Sequence, residues 1–566
     1  MTWDSSFDFI VVGSGAGGMT ASVVASELGG DSLVIEKTDQ FGGTTALSGG
    51  VIWVPNNDSM AEAGIKDSAE DGLAYLRAVV GPDVPEEKLK AYVEQAPAMV
   101  RFMGKRTPVK YFAADRYADY YPELPGGKTG GRSMDPDTIS RFSIGKEAPN
   151  QRYPGYLTGF LRFSITVRES REVMDMSLKG KYYMARNILR YYLDIPSRLK
   201  GLPDRRYTLG RALVTSCRKA MLDRDIPLWL NTEATQLIVE NQRVVGIEVN
   251  REGRTLRLEA RKGVLLAAGG MGQNIPMRQQ YGQLPTGEAF SSACPGNMGD
   301  GIRMGQDIGA DVAFMGSAWW TPSVRLPDGT MLALISGKAM PGSMFVDSSG
   351  HRFCNEAAPY EDVVKEFWKN HNDGTPSVPS YMVFDARYRH LYSAGPLVPG
   401  KIQSDDKLPE HLSGNRFLKK ADTLEELAKL IGVDAKGLQD AVERQNGFAC
   451  SGKDLDFGRG DSAHDQYYSD PKVGPNPCLA PIDQAPFYAM AVYPGDLGTK
   501  GGLKCDEYAR VLTHQNEIID GFYVTGNCAG SVMGDSYPGA GSTIGPSMTF
   551  GYVAAAHAMQ GKMIEE

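Results

Sequence analysis

The chain has 566 residues, 23% charged and 42% hydrophobic, with a formal net charge of −8. This balance gives no electrostatic reason to expect a nucleic-acid partner, and the length exceeds one hydrophobic core, so two domains with insertions are expected. The seven cysteines (217, 294, 354, 450, 478, 505 and 528) lack paired spacing, which points to neither a disulfide framework, a zinc site nor an iron–sulfur cluster and fits a reducing, cytoplasmic setting. Met1-Thr2-Trp3-Asp4 lacks the basic-then-apolar order of a signal peptide, and no apolar run reaches membrane-spanning length.

The first element is a short apolar strand, Phe7 to Val12, which runs into Gly13-Ser14-Gly15-Ala16-Gly17-Gly18 and a small-residue helix. A second apolar run, Ser32 to Ile35, ends in Glu36. This is the order of a dinucleotide-binding βαβ unit. Gly13 permits the tight turn, Gly15 lets backbone approach a pyrophosphate, Gly18 allows helix and sheet to pack closely, and Glu36 accepts ribose hydroxyls beside Lys37. Phe41-Gly42-Gly43-Thr44-Thr45-Ala46-Leu47-Ser48-Gly49-Gly50 is too glycine-rich for an ordinary helix and reads as a loop laid against a flat ring system.

Residues 151 to 206 mix Arg and Lys with aromatics, among them Phe160, Arg162, Phe163, Tyr182, Tyr183, Tyr191 and Tyr192. Tyr182, Tyr183, Met184, Ile188 and Tyr192 share one side of a helix flanked by Lys181 and Arg186. Two readings stay open for this block: an interfacial helix seated among anionic headgroups, or a helical excursion packed on the enzyme or used between subunits.

The run Ala234 to Glu240 pairs with Val244 to Val249 as a hairpin, with Ala234 assigned to the cofactor. The strand Gly263 to Ala268 closes in Ala267-Ala268-Gly269-Gly270, and Gly521 to Thr525 leads to Gly526-Asn527; both resemble the returning strands of a large flavoprotein. With no second GxGxxG and no CxxC, a single FAD without a built-in nicotinamide site is expected. The fold expected is α/β: a Rossmann-like, glutathione-reductase-type FAD-binding domain (1–318 and 499–566) with an inserted α+β cap (319–498), and the active site between cap and flavin.

The seven histidines (351, 371, 390, 411, 464, 514 and 557) show no metal or triad spacing, so acid–base chemistry is sought among tyrosines in Pro-flanked turns. These are Asp119-Tyr120-Tyr121-Pro122, Ala358-Pro359-Tyr360-Glu361 and Ser536-Tyr537-Pro538-Gly539-Ala540-Gly541. A phenol can donate to a developing enolate oxygen, and acts as a base only if its anion is stabilised or its proton relayed. The glycine run Gly539 to Gly545 opens an apolar helix, Met548 to Ala558, whose positive end would face the flavin, with Ser542 and Ile544 as contacts.

At this point the chain resembles the FAD-dependent 3-ketosteroid Δ1-dehydrogenases, within the class that includes fumarate reductase and succinate dehydrogenase flavosubunits. The matching motifs are Val11-Val12-Gly13-Ser14-Gly15, Glu36 to Thr44, Asn355-Glu356 with Pro359-Tyr360, Asp496 to Leu503, and Tyr537-Pro538-Gly539-Ala540-Gly541. The resemblance implies 1,2-desaturation of 3-ketosteroids in steroid degradation. Tyr537 and the Gly541 N–H would hold the C3 carbonyl, Tyr360 would take the C2 proton with Tyr120 as relay (Tyr121 being the alternative), and noncovalent FAD would accept the C1 hydride. The 151–206 block departs from the family pattern.

A 3-oxo-5α-steroid 4-dehydrogenase is the nearest alternative. A fumarate-reductase-like enzyme would need cationic residues where tyrosines stand, and a non-catalytic electron-transfer subunit would not need the tyrosine set. With no second redox motif, electrons leave to an external acceptor, for which a quinone is the candidate; a membrane-facing block would suit both a quinone and a lipid-dissolved steroid.

Overall fold

The computed structural model describes residues 2–153, 163–174, 177–283 and 287–564; Phe160 and Arg162 of the basic, aromatic block lie outside the described residues. Its central element is an eight-stranded sheet in which Ser5–Val12 lies between Ser32–Ile35 and Arg254–Leu266, parallel to both. Phe9 and Val11 point into one apolar cluster and Ile10 and Val12 into another, so this strand is covered on both faces, as the unbroken apolar run requires. The long strand Arg254–Leu266 serves two purposes. Its first half pairs antiparallel with Arg243–Arg251, which in turn pairs with Thr232–Glu240, and its second half lies parallel to Ile518–Val524.

At Gly13 the backbone takes φ +106°, and a Cβ there would stand 2.4 Å from the Ala267 carbonyl oxygen; at Gly18 it would stand 2.3 Å from the Gly13 oxygen. These are the turn and the close helix–strand packing that the glycine spacing called for. The helix that follows, Ala16–Glu27, is buried along most of its length and packs on Ile544–Gln560.

Between these parts of the sheet, residues 318 to 499 build a six-stranded sheet on Ala318–Arg325, Ser343–Val346, Ser380–Phe384 and Phe487–Thr499. Phe345 faces a cluster with Val363 and Phe367 of the helix Tyr360–Asn372. Met344 and Val346 face the opposite cluster, under Leu424–Ile431 and Ala435–Ser451. The helix Tyr360–Asn372 packs on this sheet, and its first residue, Tyr360, belongs to the apolar cluster that also holds Phe9 and Val11.

The helix Leu178–Leu193 is amphipathic, with its apolar side turned outward. Gly180, Asn187 and Tyr191 are buried, whereas Leu178 is 86% exposed, Tyr192 64% and Leu193 65%. The inner face is polar for a definite reason. Glu169 is paired with Arg186 and with Arg206 at 2.8 Å, accepts from Asn187 Nδ2 at 3.2 Å, and Arg190 reaches Asp204. Arg186, Arg190 and Arg206 thus answer internal carboxylates, as does Arg168 with the buried Asp135.

Candidate active site

One continuous cavity of about 1070 Å³ runs from the first glycine turn to the tyrosines. At one end it is lined by Gly13, Ser14, Gly15, Ala16, Gly17, Glu36 and Lys37; along its middle by Gly43, Thr44, Thr45, Leu47, Ser48, Gly49, Gly50, Ala234, Ala268 and Gly269. Gly526, Asn527, Gly541 and Ile544 line it further on, with Tyr360 and Tyr537. The sequence-derived set therefore converges on one space, with five exceptions: Tyr120 stands behind Tyr360, and the other four are residues expected at the cofactor. Gly18 and Gly42 are buried beneath the turn and loop, and Gly270 packs so closely that a Cβ would stand 2.1 Å from Thr499 Oγ1. Ser542, expected as a flavin contact, is fully buried and its hydroxyl donates to the Gly539 carbonyl at 2.7 Å, closing the turn on itself instead of facing the cavity.

The cofactor end has the chemistry of a dinucleotide cradle. Glu36 Oε2 accepts from Ser14 Oγ at 2.6 Å and Oε1 from the Thr38 amide at 3.1 Å, which aims the carboxylate from two sides. Lys37 is paired with Asp300. A Cβ on Gly15 would find only Thr45 Oγ1, at 3.7 Å, and one on Gly43 nothing within 4 Å, so both would project into open cavity. Side-chain-free backbone at the helix entrance and along the ring-facing loop is what an extended nucleotide with a pyrophosphate and a flat ring requires. The residues present fit FAD.

At the far end the aromatic side chains form one assembly. The Tyr120 hydroxyl donates to that of Tyr360, with the two rings edge-on at 5.2 Å between centroids. Tyr360 also hydrogen-bonds Tyr117 at 3.3 Å, and Tyr117 in turn bonds Tyr468 at 3.0 Å. Tyr537 faces this group, 5.8 Å from the Tyr360 ring and 5.1 Å from Tyr120, and rests against Trp319 at 4.8 Å. Tyr121, the alternative to Tyr120, points elsewhere: its hydroxyl donates to Asp362 at 2.9 Å. Tyr120 itself does not line the cavity and is 1% exposed, standing behind Tyr360.

The scaffold that aims these groups is local at each end. Pro359 precedes the helix Tyr360–Asn372, so Tyr360 is its first residue. The Tyr120 amide donates to the Pro538 carbonyl at 2.9 Å and Tyr75 reaches the same oxygen at 2.6 Å, which ties the Tyr120 loop to the Tyr537-Pro538 turn. Asp119, next in sequence, is held by Arg132 at 2.9 Å and Trp53 Nε1 at 2.7 Å. Gly541 takes φ +102° and a Cβ there would stand 2.3 Å from the Ile52 carbonyl carbon, so only glycine brings this backbone against the strand Ile52–Trp53.

The electrostatics separate the tyrosines. Burial pushes all of them up, Tyr537 to about 12. Tyr360 is raised by burial and by Tyr537, but the hydrogen bonds from Tyr117 and Tyr120 hold it back; in Tyr120 the bond to Tyr360 adds to the rise. Between the two bonded phenols of Tyr120 and Tyr360, an anion is therefore better supported on Tyr360, which accepts from its neighbours. His464 packs edge-on to Tyr120 at 4.7 Å and is held down to about 3 by burial and then by Lys338, so its ring is neutral.

Sequence reasoning missed Tyr117, Tyr468, Trp319, Lys338 and His464 here. Of these only Tyr117 carried a local signal, three residues before Tyr120 in the same loop.

The family model for the FAD binding domain matches residues 8–544. The chain is 39% identical over 563 residues to a 3-oxosteroid 1-dehydrogenase of Mycolicibacterium smegmatis, covering 97% of this chain and 96% of that one. It is 38% identical over 567 residues to the 3-oxosteroid 1-dehydrogenase of Comamonas testosteroni, covering 98% and 96%. The crystal structure of 3-ketosteroid Δ1-dehydrogenase from Sterolibacterium denitrificans in complex with 1,4-androstadiene-3,17-dione superposes with a TM-score of 0.95 at 45% identity, covering 99% of this chain and all of that one. With the FAD cradle and the tyrosine assembly joined in one cavity, the chain belongs to the FAD-dependent 3-ketosteroid Δ1-dehydrogenases, flavoenzymes built on the FAD binding domain.

Proposed function

We propose that this enzyme introduces a C1=C2 double bond into 3-oxo-4-ene steroids, giving 3-oxo-1,4-dienes. The observation that carries the reading is the hydrogen-bonded Tyr120–Tyr360 pair packed beside Tyr537, with Tyr360, Tyr537 and Gly541 lining a cavity that is continuous with the dinucleotide cradle.

The Tyr537 hydroxyl and the Gly541 N–H donate to the steroid C3 oxygen, which acidifies the C2 proton and receives the developing negative charge. Tyr360 takes that proton; its anion is stabilised by the hydroxyls of Tyr120 and Tyr117, and Tyr120 passes the proton onward. Bound FAD supplies at N5 the acceptor for the hydride that leaves C1. The buried aromatic walls exclude water, so the phenolic hydrogen bonds act in a low dielectric.

The finer reading extends to where the enzyme works. The outward side of Leu178–Leu193 continues into Ile195, 58% exposed, and Leu199, 83% exposed, with Lys179, Lys181 and Lys200 also exposed around it. The same excursion supplies Phe163, Ile165, Val167, Tyr191 and Leu202 to the cavity wall. Among the described residues no helix is long and apolar enough to cross a membrane. The reading is therefore a peripheral seat on an anionic bilayer at the cytoplasmic face, where an apolar steroid enters and a quinone collects the electrons.

The test is anaerobic addition of 4-androstene-3,17-dione, and separately of 4-cholesten-3-one, to the yellow holoenzyme. Bleaching of the flavin with formation of the 1,4-diene is expected. No bleaching with either steroid, together with bleaching by a 5α-3-ketosteroid to give the 4-ene, would replace this reading with that of a 4-dehydrogenase.

A further inference from the structure

Lys338 is 2% exposed, and its ammonium donates to two backbone carbonyls, Glu356 at 2.7 Å and Ala358 at 2.6 Å. Both carbonyls belong to the turn that delivers Tyr360 to the head of its helix. Lys338 Nζ stands over the Tyr360 ring, 5.9 Å from its centroid. Lys338 forms no ion pair among the described residues.

The charged and titratable groups around it are already committed. The Glu356 carboxylate is shared by Arg352 at 2.8 Å and Arg459 at 2.9 Å. Asp465 accepts from Asn355 Nδ2 and the Gly460 amide, and burial raises it towards the neutral form. Cys354 is pushed up by burial and His464 is neutral. Burial draws Lys338 itself down to about 8. A buried ammonium without a carboxylate of its own is costly to keep, which asks what it serves.

We infer that Lys338 is a positioning residue that acts through Tyr360: its two carbonyl bonds set the turn that aims the phenol, and its charge over the ring favours the phenolate form. A cation over a neutral phenol feels only the ring quadrupole, whereas over a phenolate it meets a full delocalised charge, so the preference falls on the deprotonated base. At this separation and an effective dielectric of about 20, the phenolate is favoured on the order of 30- to 100-fold, or about 1.5 to 2 pH units on the base. The inference rests on Tyr360 being the base.

The experiment compares Lys338→Gln, Lys338→Arg and Tyr360→Phe as FAD-loaded holoenzymes, reading kcat and kcat/KM for 4-androstene-3,17-dione against pH. Lys338→Gln can still donate to a carbonyl but has no charge. It is expected to lose about 30- to 100-fold in kcat at pH 7, with the rising limb displaced upward by about 1.5 to 2 units so that the deficit shrinks as pH rises. Lys338→Arg restores the charge and is expected to keep the limb in place. A pH-independent loss in Lys338→Gln, or no loss, overturns the inference; if that variant does not fold, a limb displaced by a unit or more in Lys338→Arg overturns it and an unmoved limb supports it. Tyr360→Phe tells the two readings apart: substantial residual turnover in it removes the base assignment itself, whereas an inactive Tyr360→Phe beside an unshifted Lys338→Gln removes only the role given to Lys338.

Discussion

The buried pair Lys500–Glu361 joins the two halves of the active site, and breaking it tests how the halves are held. Glu361 follows Tyr360 on its helix, and Lys500 Nζ lies 2.5 Å from Glu361 Oε2, 4.8 Å from the Trp319 ring centroid and 5.9 Å from that of Tyr537. Both side chains are essentially fully buried. Glu361 has a second cation, Lys365 at 2.9 Å, which is partly exposed; Lys500 has no second carboxylate partner among the described residues. The two deletions are therefore unequal. Glu361→Gln strands an ammonium, which ordinarily costs about 3–5 kcal/mol. The cost is capped, because Lys500 can shed its proton: from an ordinary lysine pKa the cap is about 5 kcal/mol at pH 7 and about 2 kcal/mol at pH 9. Lys500→Met leaves Glu361 with Lys365 and is expected to cost about 1–3 kcal/mol.

The sign of the pH effect follows from burial, which already draws Lys500 downward and which Glu361 opposes. In Glu361→Gln the folded state binds fewer protons than the unfolded state, so stability rises with pH through the neutral and alkaline range until the unfolded lysine also titrates. The assay is the midpoint of thermal FAD release, followed by flavin fluorescence from pH 6.5 to 9.5, where a loss of this size corresponds to roughly 3 °C for a chain of this length. Equal midpoints for the two variants, or a Glu361→Gln deficit that fails to shrink at high pH, would refute the reasoning.

In the proposed mechanism Tyr537→Phe removes one donor to the steroid oxygen, and it is expected to lower kcat by about 10²- to 10³-fold with FAD content unchanged, checked by single-turnover flavin reduction. Gly541→Ala forces a Cβ to 2.3 Å from backbone at a left-handed position. It is expected to cost turnover at least as much as Tyr537→Phe, since the turn must shift bodily, and steady-state rates beside Tyr537→Phe measure this. Leu189→Asp with Leu193→Asp, on the exposed side of Leu178–Leu193, is expected to abolish flotation with anionic liposomes while turnover of a soluble steroid is kept; unchanged flotation would remove the membrane reading.

What the sequence disclosed and what it concealed divide by distance along the chain. The glycine turn, Glu36 and the 41–50 loop were legible because each role depends on backbone a few residues away. The tyrosine assembly was legible only through the family motif, since Tyr120 and Tyr360 meet across 240 positions and nothing near either one names the other. Lys338 and His464 were illegible for the same reason. Ser542, expected as a flavin contact, turns its hydroxyl to a competing partner close by, the Gly539 carbonyl, which its place in a glycine turn does not announce. For Leu178–Leu193 the amphipathic pattern was readable but its orientation was not: the inward side is set by Glu169 and Asp204, which lie outside that helix.

The cradle for FAD takes one wall from residues 13–50 and another from residues 526–547, and the helices Ala16–Glu27 and Ile544–Gln560 touch so closely that a Cβ on Gly17 would stand 2.4 Å from Ser547 Oγ. During synthesis the first wall waits for the second, for roughly half a minute to two minutes at about 5–20 residues per second. Flavin capture is thus a late event in the life of the nascent chain, and a polypeptide halted before residue 544 has the fingerprint of a nucleotide-binding protein without a complete place to put the nucleotide.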